Sequence, residues 1–166
     1  MSIKKIFTNC FLVKTDQAGN PTQVCLAMKK RGFGQGLWNG SGGKPQDNES
    51  VEAAARREVE EEFGVKVRVM DKRGEIDFFL RRENKNVLMH TFLVTEWDKE
   101  PIETEEMNPQ WFPVNQVPYD HMWDSDKEWL PIILSGKKIK AKYTYPYEGG
   151  KVEARVIKKV KNFHEK

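Results

Sequence analysis

Glu58, Glu61 and Glu62 stand at i, i+3 and i+4, so on a helix they share one face. Stacked like charges cost a helix roughly a few tenths of a kcal/mol per pair. A divalent cation would offset that repulsion. Mg²⁺ suits the donor set, because it is hard, takes oxygen ligands, and binds one or two carboxylates together with substrate phosphates. Ahead of the glutamates lies Gly40-Ser41-Gly42-Gly43, whose backbone can approach a ligand or metal closely.

The stretch carrying the carboxylates has strong helix signals. Ser50 is an N-cap candidate after the turn-like Pro45-Gln46-Asp47-Asn48. Glu52 to Glu62 is rich in good helix formers, Ala53, Ala54 and Ala55 among them. Val51, Ala54, Ala55 and Val59 form an apolar stripe that can dock on a sheet, and Gly64 fits the residue that ends the helix.

Strand periods surround it. Residues 3–13 and 23–29 read as a hairpin across the turn cluster Asp16–Pro21, and 31–43 as a loop rich in glycine and aromatic residues. Residues 66–82 and 85–97 read as two further strands, Glu100 to Asn108 as an acidic loop, and Trp111-Phe112-Pro113-Val114 as an edge strand because of its proline. Ser125 to Leu134 reads as a second helix, with Ser125 and Glu128 spaced as a capping box and Pro131 within the pattern. Lys138–Tyr147 and Val152–Lys159 flank a final turn. A mixed sheet between helices, in one domain spanning residues 1–166, follows from this order.

Composition narrows the class. The chain is 32% charged and 38% hydrophobic with net charge +3, suited to a soluble domain and too weakly basic to imply a nucleic-acid partner by itself. Met1-Ser2-Ile3-Lys4-Lys5 is unlike a signal peptide, and no apolar run reaches membrane-spanning length. A cytosolic monomer with no membrane partner is therefore expected. Cys10 and Cys25 fall in neighbouring strands and read as two half-buried thiols rather than a disulfide. From Lys137 onward there are ten Lys/Arg and three Glu, read either as a solvated face or as a patch facing RNA.

Gly43, Glu49, Arg57-Glu58-Val59, Glu61-Glu62 and Gly64-Val65 are nine defined positions at fixed spacing, and together they resemble the Nudix box. The flanks MKKRGFGQGLWNGSGGK and EEMNPQWFPVNQVPYDHMWDSDKEWLP resemble the animal-type MutT homologues within that superfamily. The resemblance implies an α/β/α sandwich that hydrolyses oxidised purine nucleoside triphosphates, such as 8-oxo-dGTP, to the monophosphate and pyrophosphate. It implies Mg²⁺, with Mn²⁺ as an alternative, on Glu58, Glu61, Glu62, the Gly42 carbonyl and Glu106. Phosphates would meet Lys29, Lys44 and the backbone of the glycine loop, Gly43 included. The purine would lie among Thr8, Phe33, Asn39, Phe78, Met107 and Trp123, with Asp126 reading its edge.

Arg57 reads as orienting Glu61 one turn on, and either Glu62 or Glu106 as the general base. One position departs from the family pattern. Ser125 stands where the first of two adjacent aspartates is found, and it is read either as a helix cap or as a weaker reader of the base. An RNA 5′-pyrophosphohydrolase and a non-catalytic nucleotide-binding regulator are the rival readings.

Overall fold

The computed structural model describes residues 4–32 and 34–164. The elements run β1 (Lys4–Thr15), β2 (Pro21–Lys29), β3 (Trp38–Asn39), α1 (Val51–Phe63), β4 (Val67–Leu80), β5 (Lys85–Trp97), β6 (Met107–Pro113), α2 (Asp126–Leu134), β7 (Lys138–Tyr145) and β8 (Ala154–Val160), with a 3-10 turn at Tyr119–His121. Their strands form one sheet in the order β3-β2-β1-β5-β4-β7-β8, and β6 pairs with β2. The β1–β5 and β4–β7 pairs are parallel and the others antiparallel, so the sheet is mixed, as expected.

Strand alternation decides what each helix covers. In β1, Phe11 and Val13 join Trp129, Leu130 and Ile133 of α2 in one core. Cys10 and Leu12, facing the other way, join Ala55, Val59 and Phe63 of α1. Val24 and Leu26 alternate with Cys25 and Ala27 in β2 in the same manner. Burial on both faces is why these strands read as nearly continuous apolar runs.

Local signals place α1 well. Ser50 Oγ accepts the Ala53 N–H at 3.1 Å. Gly64 ends the helix at φ +70°, and its N–H donates to the Glu60 carbonyl, a left-handed close that glycine adopts without strain. The buried residues include Ala54, Ala55 and Val59 of the expected stripe, together with Glu62 and Phe63.

Several expectations need correction. The strand expected at 111–114 begins at Met107, inside the expected acidic loop, because Lys29 pairs with Met107 and the ladder runs on to Gln23–Pro113. It lies at an edge, as its prolines require. The loop 31–43 contains the short strand β3. Cys10 and Cys25 are free and fully buried rather than half-buried. They do not face each other, since Cys10 lies opposite Ser41 and Cys25 opposite Trp111. Ser125 has helical backbone angles and makes no side-chain cap hydrogen bond, and Glu128 pairs with Arg155, so the capping box does not form. Among the described residues no helix is long and apolar enough to cross a membrane.

Candidate active site

The glycine loop is held where β1 and β2 part. β1 pairs with β2 from Val13 onward, which leaves its earlier residues open on that side. The loop fills the gap: Cys10 and Ser41 exchange two backbone hydrogen bonds of 2.6 and 2.8 Å, and the Thr8 N–H donates to the Gly43 carbonyl at 2.9 Å. A Cβ on Gly42 would collide with the Thr8 carbonyl, and one on Gly43 with the Glu58 carboxylate. Only glycine lets the loop lie between strand and helix.

The three glutamates occupy three environments. Glu62 is 3% exposed, and its Oε1 accepts from Ser41 Oγ at 3.1 Å and from the Gly42 N–H at 2.8 Å. Burial pushes its carboxyl up to about 7, with a further rise from Glu58 and Glu106 against the lowering effect of those hydrogen bonds. Glu58 is also raised, first by burial, while its contact with Arg57 lowers it. Glu61 is half-exposed.

Arg57 organises this face. Its Nε and Nη2 bond both oxygens of Glu49 at 2.9 Å each, the strong two-point geometry of a guanidinium on a carboxylate. Nη1 reaches Glu58 Oε1 at 3.0 Å and Glu61 Oε2 at 3.2 Å, and Nη2 the Lys44 carbonyl at 3.2 Å. The expected link to Glu61 is present. Glu49 was a defined position in the sequence pattern, but its partner emerges only when the loop folds back on the helix.

The donor set fits a hard divalent cation. Arg57 takes Glu58 Oε1 and Glu61 Oε2, while Ser41 and Gly42 take Glu62 Oε1. The second oxygens of Glu58 and Glu61 are the ones a cation would use, and repulsion of Glu58 by Glu61 and Glu106 favours binding one. Among the described residues no three such groups already stand together as a metal cage. Glu106 is 53% exposed and 3.8 Å from Arg31, and its charge reaches Glu58 and Glu62.

Beside the loop lies a cavity of about 400 Å³. Gly42, Gly43, Lys44 and Glu62 are among its lining residues. Thr8, Lys29, Asn39, Phe78, Met107, Trp123 and Asp126 line it too, so these sequence candidates are brought together. Arg57, Glu58, Glu61 and Glu106 are not among the lining residues. Phe33 lies outside the described residues.

The Thr8 hydroxyl exchanges hydrogen bonds with the Gly43 backbone. Asn39 Oδ1 is occupied by Asn9 Nδ2 at 3.0 Å and the Gly40 N–H at 2.8 Å, so Asn39 offers a ligand its Nδ2. Asn9, Leu80, Val87, Met89 and Tyr145 also line the cavity. Sequence reasoning missed them because, apart from Asn9, each reads as an ordinary core residue of a strand. Asp126 is 3% exposed and its Oδ2 has no hydrogen-bond partner among the described residues. Burial pushes it up to about 8.

The model of the NUDIX domain matches residues 8–132. The chain belongs to the Nudix family. It is 45% identical over 118 residues to the oxidized purine nucleoside triphosphate hydrolase of Danio rerio, covering 71% of this chain and 76% of that one. It is 39% identical over 138 residues to the Mus musculus protein of the same name, covering 83% and 85%. The crystal structure of a MutT protein from Bacillus halodurans superposes with TM-score 0.76 at 24% identity, covering 92% of this chain and 97% of that one, a likeness of fold. Nudix hydrolases generally use divalent metal ions, in keeping with the carboxylates on this Nudix helix.

Ser125, the departure from the family pattern, is fully buried, its Oγ has no partner among the described residues, and it does not line the cavity. Neither a capping role nor a base-reading role fits that position. Its N–H donates to the Tyr145 hydroxyl at 2.9 Å. Ser125→Asp would therefore place a second buried carboxyl beside Asp126 rather than in the cavity. The expected result is a loss of roughly 1–3 kcal/mol in urea unfolding, the cost of an unsatisfied buried polar group. The preference among purine nucleotides should stay unchanged, which kcat/KM ratios for 8-oxo-dGTP and dGTP would check.

Proposed function

We propose that this Nudix chain is a pyrophosphohydrolase acting on purine nucleoside triphosphates, oxidised ones such as 8-oxo-dGTP included, and releasing the monophosphate and pyrophosphate. The observation that carries this reading is a single cavity lined by Glu62 and the glycine loop together with Trp123 and Asp126. Its lining suits a nucleotide, with Lys29, Lys44 and the glycine loop for the phosphates and Trp123 and Asp126 for the base. The names of the two animal relatives, which cover most of the chain, support the same substrate class.

In this reading Trp123 offers an aromatic face for the base, worth about 1–3 kcal/mol. Asn39 Nδ2 and Asp126 meet the base edge. A neutral Asp126 donates a hydrogen bond from its carboxyl, which an ionised one does not. Lys29 and Lys44 meet the phosphates as point charges. Glu58, Glu61 and the Gly42 carbonyl, with Glu106, would hold Mg²⁺. Bound there, the cation would neutralise charge developing on the phosphate oxygens. Glu62 takes the proton of the attacking water, because burial holds its carboxyl near neutrality. Arg57 fixes Glu58 and Glu61 and meets no substrate.

The β7 lysines of the basic stretch do not favour an RNA substrate at this cavity. Lys138, Lys140 and Lys142 alternate with Ile139, Ala141 and Tyr143, which are buried on the α2 side. The lysines thus project from the opposite face of the sheet, away from Tyr145 and the cavity.

A panel assay tests the proposal. Products are resolved after incubation with Mg²⁺ and dGTP, 8-oxo-dGTP, dATP or 5′-triphosphorylated RNA. Pyrophosphate and monophosphate from the purine nucleotides are expected, with RNA turned over at least tenfold more slowly. Orthophosphate as the product, or RNA as the preferred substrate, would overturn it.

A further inference from the structure

The chain that joins β7 to β8 supplies part of the cavity wall. Glu148 and Gly149 of this connection line the cavity next to Tyr145, Trp123 and Asp126. Val152 of the connection packs on the α2-side core, and its earlier part is tied to the β4–β5 turn, where the Glu148 N–H donates to Glu83 Oε1 at 3.2 Å and the Arg82 guanidinium lies 4.5 Å from the Tyr147 ring centre. Beneath the connection lies a second hollow of about 200 Å³, bounded by Gly149, Gly150 and Lys151 on one side and Tyr119, Trp123 and Asp124 on the other.

Asp124 bridges that hollow. Its Oδ2 accepts the Val152 N–H at 2.8 Å. Its Oδ1 meets Lys127 Nζ at 3.1 Å and Lys151 Nζ at 3.5 Å. The two lysines are 56% and 89% exposed, whereas Asp124 is 12% exposed. Ion pairs to such exposed lysines contribute little. The shielded carboxylate–amide bond is the strong link, being charge-assisted. One residue on, the Ser125 N–H donates to the Tyr145 hydroxyl at 2.9 Å. The segment carrying Trp123 and Asp126 is therefore tied to the β7–β8 hairpin at two successive residues.

We propose that Asp124 is a positioning residue for the base, latching the β7–β8 connection so that Glu148 and Gly149 close the cavity over it. The proposal rests on the nucleotide reading above. With the latch broken, the cavity opens beside the base and nucleotide binding weakens. Glu62 and the glycine loop are anchored on each other and on β1, and keep their geometry. The signature is a rise in KM with kcat retained.

The experiment compares Asp124→Ala with Asp124→Asn, which keeps an oxygen for the Val152 N–H while losing the charge. Three quantities are read: KM and kcat for dGTP, thermal unfolding, and hydrogen–deuterium exchange of residues 147–153. Asp124→Ala should raise KM about tenfold, leave kcat within twofold, and speed exchange in 147–153 with little change elsewhere. Asp124→Asn, which keeps the acceptor but not its charge, should lie nearer the wild type than Asp124→Ala in all three. Val152→Pro removes the same bond from its other end. It should match Asp124→Ala, and the double variant should be no worse than either. Should Asp124→Ala not fold, Val152→Pro carries the test.

A KM within twofold of wild type in a variant whose 147–153 exchange has quickened would overturn the proposal. So would an Asp124→Asn as impaired as Asp124→Ala. If no nucleotide were turned over even by the wild type, the functional reading would fail separately. Exchange at 147–153 in the Ala and Asn variants would still uphold or overturn the latch.

Discussion

Glu62→Gln should lower kcat for dGTP by roughly 10²–10⁴-fold, the contribution of a positioned general base, and leave the protein folded. Both halves follow from the same environment. Glu62 is almost wholly buried, and Ser41 Oγ and the Gly42 N–H both donate to its Oε1. The glutamine carbonyl can accept the same two hydrogen bonds, so the glycine loop keeps its anchor. The group lost is an oxygen that can take a proton. Because burial already disfavours the charged form of Glu62, a neutral amide costs the fold little and can relieve repulsion with Glu58. Steady-state pyrophosphate release and urea unfolding, run on one preparation, check the pair of expectations. A variant with turnover within tenfold of wild type would remove Glu62 from the chemistry. Collapse of the fold would instead make Glu62 a structural anchor of the loop.

Asp126→Asn should flatten the dependence of stability on pH. The Asp126 carboxyl is raised to about 8 by burial, against an ordinary value near 4 when unfolded. Between those values the folded protein holds a proton that the unfolded chain has released. Stability must then fall as pH rises through that window, by roughly 1.4 kcal/mol per unit for this one group. The contribution is fully present below pH 4 and lost by the time pH exceeds 8. Asparagine has no such proton. Relative to the variant, the wild type should therefore lose on the order of 3–4 kcal/mol between pH 5 and pH 8, read from urea midpoints at each pH. The same titration should appear in recognition. The wild-type kcat/KM profile for dGTP should carry a step near pH 8, where the carboxyl ceases to donate, and the variant should lack it. Parallel profiles in both measurements would show that Asp126 is ionised throughout and reads the base only as an acceptor.

The helix bearing the carboxylates could be read from the chain because its determinants are local. Ser50, the alanine run and Gly64 act within one or two turns of themselves, and the structure realises each of them. The sheet was legible for a similar reason, since alternation in β1 and β2 survives burial on both faces. Where local cues failed, a distant partner intervened. β6 extends back to Met107 because β2 offers a ladder there, and Ser125 gives up its capping geometry where its N–H meets Tyr145, twenty residues away.

The carboxylates and glycines of the Nudix helix and its loop were thus determined by the sequence alone, through fixed spacing on one helix and one loop. Tertiary structure alone decided the rest. Arg57 grips Glu49 only once the loop has folded back on the helix. Leu80, Val87 and Met89 become walls of a cavity, Leu80 while still part of the core, because neighbouring strands bring them to the cavity that Trp123 also lines. Asp126 and Ser125 have acquired different environments although they are adjacent, one lining the cavity and the other behind it. Spacing along a chain sets which face of one element a side chain occupies. What that face meets, and how much water it keeps, is set by elements tens of residues away.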